Sequence, residues 1–197
     1  KIGIGHTRWA THGVPNDTNS HPHFSESGDL VIVHNGIIEN YDTIKKELTS
    51  RGYTFKSDTD TEVLVNLIEE VKKQEGCKLG KAVQLALTQV IGAYAIAVFD
   101  KTKPNEIVVA RLGSPIAIGI GKENKEFFVA SDASPFIEYT KEAIYLEDEE
   151  MAIIKLNKGV KVRKIHDDSL VDTKTQELQL SLEQIEKGGY DHFMLKE

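Results

Sequence analysis

The sequence predicts an α+β fold, because segments with helical periodicity lie in the first half of the chain and strand-like segments dominate the second. The strand-like segments after Gly92 are short and follow one another at hairpin spacing, which favours antiparallel pairing over parallel βαβ units. The chain has 197 residues, of which 40% are apolar and 28% charged. This length and composition are sufficient for one good-sized domain with a buried core.

Composition also narrows the classes of partner. The formal net charge is −7 and Lys and Arg are scattered, so we expect no nucleic-acid partner. No apolar run approaches the roughly 18 residues of a membrane span, so we expect no membrane partner. The only cysteine, Cys77, excludes an internal disulfide and fits a reducing cytoplasm.

The first predicted elements are a strand over Lys1–Thr7, from its alternation, and a long loop over residues 12–28, from its Pro, Asn, Ser, His and Gly content. The apolar run Leu30–His34 predicts a buried strand that ends at the Asn35-Gly36 pair. Because the chain opens in mid-strand with Lys rather than Met, we expect further sequence upstream.

Three helices are predicted next. Asn40 is a candidate N-cap for a helix that runs to Ser50, and Thr59 and Glu62 have the spacing of a capping box for a helix that begins near Asp60. A third helix is predicted over Leu79–Val90. The apolar positions that define their inward faces are Ile44 and Leu48; Val63, Leu64, Leu67, Ile68 and Val71; and Ala82, Val83, Ala86, Leu87 and Val90.

Short strands separated by turns are predicted in the second half, with a helical turn over Asp132–Glu138. We expect residues 167–175 to be extended and residues 178–187 to form an arm. The two glycines that open residues 188–197 are expected to form a hinge into a further domain. The predicted strands are Ala93–Phe99, Ile107–Arg111, Ile116–Ile120, Phe127–Ser131, Ala143–Tyr145, Met151–Lys155 and Val160–Lys164.

The loop Gly5–Gly13 carries the only Trp of the chain, next to an Arg. The planar guanidinium of Arg8 suits a carboxylate, and Trp9 offers a large rigid cover. The loop therefore predicts recognition of a small anionic or zwitterionic molecule. The alternative is an Arg–Trp pair that only packs.

Two further motifs extend this interpretation. A side-chain amide at Asn35 and a close backbone N–H at Gly36 are the components of an oxyanion hole, although the same dipeptide is also a common hairpin turn. Asp60 begins a predicted helix, where it either caps the helix or binds an ammonium group. Together with Arg8 these residues suit an amino acid whose side-chain carbonyl is attacked, and glutamine fits.

The histidines His6, His12, His21, His23 and His34 raise the possibility of a metal site. No pair of them has helical ligand spacing, and His21-Pro22-His23 includes no acidic ligand, so we expect histidines that order the loop and no metal. Cys77 lies in a predicted connector without a nearby His, and we expect it to be passive.

The residue sequences of these motifs resemble those of the class II glutamine amidotransferase domain of the glutamine–fructose-6-phosphate aminotransferase family. The resemblance spans essentially the whole chain, and residues 1–187 are expected to form the domain. It is carried by Gly-His-Thr-Arg-Trp-Ala-Thr-His-Gly at 5–13, Asn-Ser-His-Pro-His at 19–23, Val-His-Asn-Gly-Ile-Ile-Glu-Asn at 33–40 and Asp-Thr-Asp-Thr-Glu-Val at 58–63.

The resemblance implies an N-terminal-nucleophile hydrolase sandwich, with two antiparallel sheets between helical layers. It implies hydrolysis of glutamine to glutamate, with ammonia passed to a sugar-isomerising domain, and it implies no cofactor. The implied roles are the α-carboxylate for Arg8, a mobile covering loop for Trp9, pocket lining for Thr11 and His12, the oxyanion hole for Asn35 and Gly36, and the α-amino group for Asp60.

The family's nucleophile is an N-terminal cysteine, which would lie upstream of Lys1, and Cys77 does not match it in position or context. We therefore expect these 197 residues to be inactive alone and fructose 6-phosphate to bind only domains that follow Glu197. The resemblance also implies a cytoplasmic, homodimeric parent protein. The alternative is a non-catalytic module that binds glutamine or glutamate.

Overall fold

Two antiparallel sheets lie face to face in the computed structural model, which describes residues 1–8 and 10–178. The larger sheet has seven strands in the order β1-β2-β3-β4-β8-β9-β10, and the smaller has four in the order β11-β7-β5-β6. In chain order the strands are β1 His23–Phe24, β2 Leu30–Ile38, β3 Gly92–Asp100, β4 Glu106–Leu112, β5 Ala117–Ile120, β6 Phe127–Ala130, β7 Glu142–Tyr145, β8 Glu150–Lys155, β9 Gly159–Lys164, β10 Leu170–Val171 and β11 Gln176–Glu177.

Every pairing between these strands is antiparallel, as the hairpin spacing predicts. The longest pairing joins β2 and β3, with Leu30 opposite Asp100 and Ile38 opposite Gly92. This pairing places the far end of β2 beside the beginning of β3. It therefore fixes the position of the Asn35-Gly36 pair within the sheet.

The helices of the described residues cover one face of the larger sheet. They are α1 Tyr41–Ser50, α2 Asp60–Glu75 and α3 Leu79–Leu87. The predicted inward face of α2 is at most 6% exposed at each position, and burial of such a side chain contributes about 1.5–3 kcal/mol. Because α2 packs against β2, its first residue lies close to the end of that strand.

The start of α2 follows the predicted capping pattern in part. Thr59 accepts a hydrogen bond from the backbone N–H of Glu62 at 3.3 Å, which confirms it as the N-cap. The Glu62 carboxylate does not return this bond to Thr59 and instead accepts from the backbone N–H of Ser57 at 2.7 Å. The loop before α2 is thereby tied to the first turn of the helix.

Apolar side chains fill the spaces between the layers. Ile32 and Ile96 of the larger sheet pack toward the helices, whereas Val109 of the same sheet packs against Ile118 of the smaller one. The outer face of the smaller sheet is covered, within the described part of the chain, by a 3-10 turn over Ser134–Phe136 and by neighbouring residues. The α+β class is confirmed, and this turn occupies the place of the expected outer helical layer.

The predicted strand over Lys1–Thr7 is wrong. These residues form no strand and lie across the opening between the two sheets, beside Val33 and Phe127. Alternation is a weak signal here because Gly3 and Gly5 occupy alternate positions and have low strand propensity.

The third helix ends at Leu87, earlier than predicted, and Asn40 bonds the residues that follow it. Its side chain makes no N-cap bond to α1; it donates to the Gln89 carbonyl and accepts from the Ile91 N–H, both at 2.9 Å. These contacts hold the turn between α3 and β3. The expected domain boundary at residue 187, the hinge over residues 188–197 and all but the first residue of the arm over residues 178–187 lie outside the described residues. No helix in the described part of the chain is both long enough and apolar enough to cross a membrane.

Candidate functional site

A pocket of about 280 Å³ lies where the loop of residues 6–12, the end of β2 and the beginning of α2 meet. This volume is at the lower limit for small-molecule sites. Six of the seven predicted site residues line it, and the seventh, Trp9, lies outside the described residues. The lining residues are His6, Arg8, Thr11, His12, His21, His34, Asn35, Gly36, Ile37, Thr59, Asp60 and Thr61.

Asp60 is the first residue of α2 and is only 3% exposed. Its Oδ2 accepts a hydrogen bond from the backbone N–H of Ile38 at 2.8 Å, which joins α2 to the end of β2. Its Oδ1 has only longer contacts, to the Thr61 hydroxyl at 3.5 Å and to His12 Nδ1 at 3.9 Å. One carboxylate oxygen is therefore anchored, while the other is able to accept from a cationic group in the pocket.

Asn35 and Gly36 do not form a turn, and the predicted end of the strand at this pair is wrong. The strand β2 continues through both residues to Ile38. Gly36 has a φ of 131°, and a Cβ there would lie 2.1 Å from the Ala93 carbonyl oxygen. Only glycine permits this conformation and this close approach. The backbone consequently reaches the pocket wall beside the Asn35 side chain.

Arg8 holds the loop closed upon itself. Its backbone φ is 54°, and its guanidinium donates to the carbonyls of His12 at 2.7 Å, Val14 at 3.2 Å and Gly13 at 3.3 Å. Arginine has five N–H donors, so three of them bond the loop and two, on Nε and Nη1, do not.

Thr11 and His12 complete the loop side of the pocket. Thr11 is exposed, and its hydroxyl lies 3.3 Å from His12 Nδ1. The His12 ring contacts Tyr41 edge-on, with 4.9 Å between the ring centroids. Through this contact the loop rests against the first residue of α1.

A group of histidines joins the loop to the sheet. The His6 and His21 rings stack with 4.4 Å between centroids, and His21 Nδ1 accepts the backbone N–H of His34 at 3.3 Å. Burial, followed by the charges of neighbouring His6 and His23, lowers the pKa of His21 to about 3. Burial likewise lowers the pKa of His23 and of His34. Among the described residues, no group of three or more His, Cys, Asp or Glu side chains is arranged to hold a metal ion.

Cys77 lies beyond the opposite end of α2 from Asp60. It packs against the core beneath the helices, and burial raises the pKa of its thiol. Seventeen residues at about 1.5 Å each separate it from Asp60 along the helix direction, a distance on the order of 25 Å. Cys77 is therefore too distant to react with a molecule in the pocket.

The sequence interpretation did not connect His6 or Ser131 with the oxyanion motif. Asn35 Oδ1 bonds His6 Nε2, and Asn35 Nδ2 donates to Ser131 Oγ at 3.1 Å. The proximity of His6 to Arg8 in the chain is a signal for its place in the pocket. No local pattern links Ser131 to Asn35, because the two residues lie 96 positions apart in the chain.

A profile of the glutamine amidotransferase domain matches residues 1–179 of this sequence. The chain belongs to the glutamine amidotransferase domain family. The predicted family is thereby confirmed across almost all of the chain.

Relatives within this glutamine amidotransferase family are similar over the full length of the chain. A glutamine–fructose-6-phosphate aminotransferase (isomerizing) from Bacteroides thetaiotaomicron is 54% identical over 196 residues, which is 100% of this chain and 31% of that protein. The protein of the same name from Chlorobaculum tepidum is 51% identical over 197 residues, again 100% of this chain and 31% of that protein. The chain thus spans about a third of the length of the curated relatives that it matches.

The fold is also similar to that of a solved amidotransferase structure. The glutamine phosphoribosylpyrophosphate amidotransferase from B. subtilis superposes with a TM-score of 0.66 at 28% identity, over 82% of this chain and 34% of that one. The predicted N-terminal-nucleophile hydrolase class of α+β fold is confirmed by this similarity together with the two antiparallel sheets.

Proposed function

We propose that the pocket binds L-glutamine and presents its side-chain amide for hydrolysis. The observation that carries this proposal is that Arg8, Asp60 and Asn35 line one cavity of about 280 Å³. Glutamine offers a carboxylate, an ammonium group and a carboxamide, which complement a cation, an anion and an amide respectively. Membership of the glutamine amidotransferase family supports the same ligand.

Each predicted residue then has a role that its contacts allow. Arg8 exchanges loop carbonyls for the α-carboxylate, and Asp60 receives the α-ammonium at the oxygen that Ile38 does not occupy. Asn35 and Gly36 donate to the oxygen that becomes negative when the amide carbonyl is attacked.

The other predicted loop residues are proposed to line and cover the pocket. Thr11 and His12 line the pocket beside Asp60. Trp9 is proposed to cover the bound ligand, on the resemblance alone.

The attacking group is proposed to come from outside these 197 residues. The only cysteine, Cys77, lies on the order of 25 Å from Asp60, and none of the lining residues is a cysteine. Oxyanion donors stabilise the product of an attack and do not replace the nucleophile. We therefore expect the 197-residue chain by itself to release no ammonia from glutamine.

We propose further that the chain is the glutamine-hydrolysing part of a longer protein that makes glucosamine 6-phosphate from fructose 6-phosphate and glutamine. The names of the relatives support this reaction, and their lengths, about three times that of the chain, support additional domains for the sugar phosphate. A homodimeric parent and a cytoplasmic location stay predictions from the resemblance and from the cysteine usage.

The test compares Asp60→Asn with Asp58→Asn in the full-length protein, with glutamate release as the measurement. Asparagine at position 60 is still able to accept from Ile38, so the fold is retained, while the charge that binds the ammonium is lost. A charged hydrogen bond contributes about 1.5–3 kcal/mol, which corresponds to a rise in the glutamine KM of roughly 10- to 150-fold.

The control Asp58→Asn neutralises an exposed carboxylate two residues away that does not line the pocket. We expect it to change the KM by no more than about twofold. Equal effects of the two substitutions would show that Asp60 does not bind the ammonium group.

The second candidate function is a non-catalytic module that binds glutamine. The observation in its favour is that none of the residues that line the pocket is a cysteine. Calorimetry on the 197-residue chain separates the two functions. Tight glutamine binding by this chain, together with no glutamate release by the full-length protein, would establish the binding module and contradict the hydrolytic proposal.

A further inference from the structure

Asn35 is held by hydrogen bonds at both ends of its side-chain amide. Its Oδ1 bonds His6 Nε2, and its Nδ2 donates to Ser131 Oγ at 3.1 Å. An amide that stabilises an oxyanion must direct Nδ2, and not Oδ1, into the pocket. Only a neighbour that distinguishes the amide oxygen from the amide nitrogen is therefore able to fix the orientation of Asn35.

Ser131 is unable to make this distinction. A hydroxyl both donates and accepts, so Ser131 would bond an Asn35 amide in either orientation. A neutral imidazole is different, because one ring nitrogen donates and the other accepts. The orientation of Asn35 thus depends on which nitrogen of His6 carries the proton.

The backbone determines the position of that proton. The N–H of Arg8 points at His6 Nδ1 with 2.9 Å between the nitrogens, so Nδ1 carries a lone pair and Nε2 carries the hydrogen. Nε2 then donates to Asn35 Oδ1, and this fixes the amide with Nδ2 on the other side. The chain of bonds runs from the Arg8 backbone through His6 and Asn35 to Ser131.

The surroundings of His6 support this arrangement. The His21 ring stacks on His6 and also has its Nδ1 accepting a backbone N–H, that of His34 at 3.3 Å. Burial lowers the pKa of His21 to about 3, so the stacked neighbour is uncharged near neutral pH. The ring of His6 is therefore held in place from its face as well as at both nitrogens.

From this geometry we propose that His6 is a positioning residue, which orients the Asn35 amide for oxyanion stabilisation and couples that orientation to the backbone at Arg8. The inference rests on the proposed function for its consequence in catalysis, but the hydrogen-bond arrangement itself is independent of glutamine. The simpler interpretation is that His6 only holds the loop against the sheet.

Two substitutions of His6 each keep one of its two hydrogen bonds and remove the other. His6→Gln places an amide nitrogen near the position of Nε2 and keeps the donor to Asn35, while it loses the acceptor for Arg8 N–H. His6→Asn places an oxygen near the position of Nδ1 and keeps that acceptor, but it does not reach Asn35. His166→Asn, at an exposed histidine outside the pocket, is the control for the substitution itself.

In the full-length protein, we expect His6→Asn to lower kcat for glutamate release by about 100-fold, as loss of an oxyanion donor does, with the glutamine KM changed only a few fold. We expect His6→Gln to stay within about tenfold of the unsubstituted protein. Thermal unfolding checks that both variants are folded. Equal losses in the two variants, or a loss confined to KM, would show that His6 holds the loop and does not orient Asn35.

NMR of the glutamine-free protein gives a second measurement that does not require turnover. We expect the ¹⁵N shift of His6 Nδ1 to be that of an unprotonated nitrogen and the Asn35 side-chain amide shift to change in His6→Asn but not in His6→Gln. A protonated Nδ1 would overturn the inference. If the unsubstituted protein releases no glutamate, the proposed function fails, and these shifts still decide whether His6 orients Asn35.

Discussion

The two sides of the pocket are built in different ways. Asp60, Asn35 and Gly36 lie on a helix and a strand of the main core, and Asp60 and the end of β2 are joined by a 2.8 Å hydrogen bond. Arg8 and Thr11 lie on a loop without helix or strand, and Arg8 bonds mainly the carbonyls of its own loop. One side is part of the fold, whereas the other is attached to it through the histidine contacts.

This difference matches the chemistry proposed for each side. Groups that stabilise developing charge need fixed positions, and a strand paired along its whole length supplies them. A group that captures a ligand needs access to solvent first. When Arg8 exchanges loop carbonyls for a carboxylate, its hydrogen bonds are replaced and not lost, so the loop is able to change partners at low cost.

The largest expected effect is on the core side, at Gly36. Gly36→Ala combines an unfavourable φ of 131° with a Cβ placed 2.1 Å from the Ala93 carbonyl. We expect a loss of about 3–5 kcal/mol in the free energy of unfolding, measured by urea titration. The matched control is Gly52→Ala, where φ is 96° but no atom lies within 4 Å of the new Cβ.

For this control we expect a loss of about 1 kcal/mol, from backbone conformation alone. The difference between the two variants measures the close contact between β2 and β3. If Gly36→Ala were no more destabilised than Gly52→Ala, the claim that β2 continues through a site that only glycine fits would be wrong.

A smaller effect is expected on the loop side, where it concerns glutamine recognition and not stability. Arg8→Ala removes the carboxylate contact and should cost roughly 1.5–3 kcal/mol of glutamine recognition, read from kcat/KM in the full-length protein. The free energy of unfolding should change by no more than about 1 kcal/mol, because the bonds that Arg8 makes lie within its own loop. An unchanged dependence of the reaction rate on glutamine concentration would refute the role given to Arg8.

At neutral pH the smallest effect is expected at the junction between the two sides, where the stability depends on pH. The pKa of His21 is about 3 in the folded protein against an ordinary value of 6.5, so between these values the unfolded chain binds a proton that the folded one does not. The free energy of unfolding should therefore fall as the pH falls from about 6.5 toward 3. Burial of His23 and His34 acts in the same direction.

Urea titrations at several pH values test this dependence, with His21→Gln compared against the control His166→Gln. We expect a shallower fall in the stability of His21→Gln, because glutamine does not titrate. A slope equal to that of the control would place the acid sensitivity elsewhere.

Much of the fold could be predicted because local patterns carry it. The apolar stripe of α2 and the Thr59 cap predict that helix correctly, and the strands after Gly92 appear where alternation and turns place them. The same local reasoning failed at residues 1–7, where glycines occupy alternate positions and the segment lies beside β2 and β6 without forming a strand. At Asn40 it placed the start of the helix correctly, but the side chain bonds a distant turn instead of capping its own helix.

The sequence by itself determined the α+β class, the main helices and strands, and the residue types that suit glutamine. Only the tertiary structure decided that Asn35 and Gly36 remain in a strand, since that depends on the approach of the Ala93 carbonyl from β3. It also decided that His6 and Ser131 hold the two ends of one amide. The physical reason is that periodicity and capping act over a few residues, whereas these contacts depend on how the strands pair and the two sheets stack.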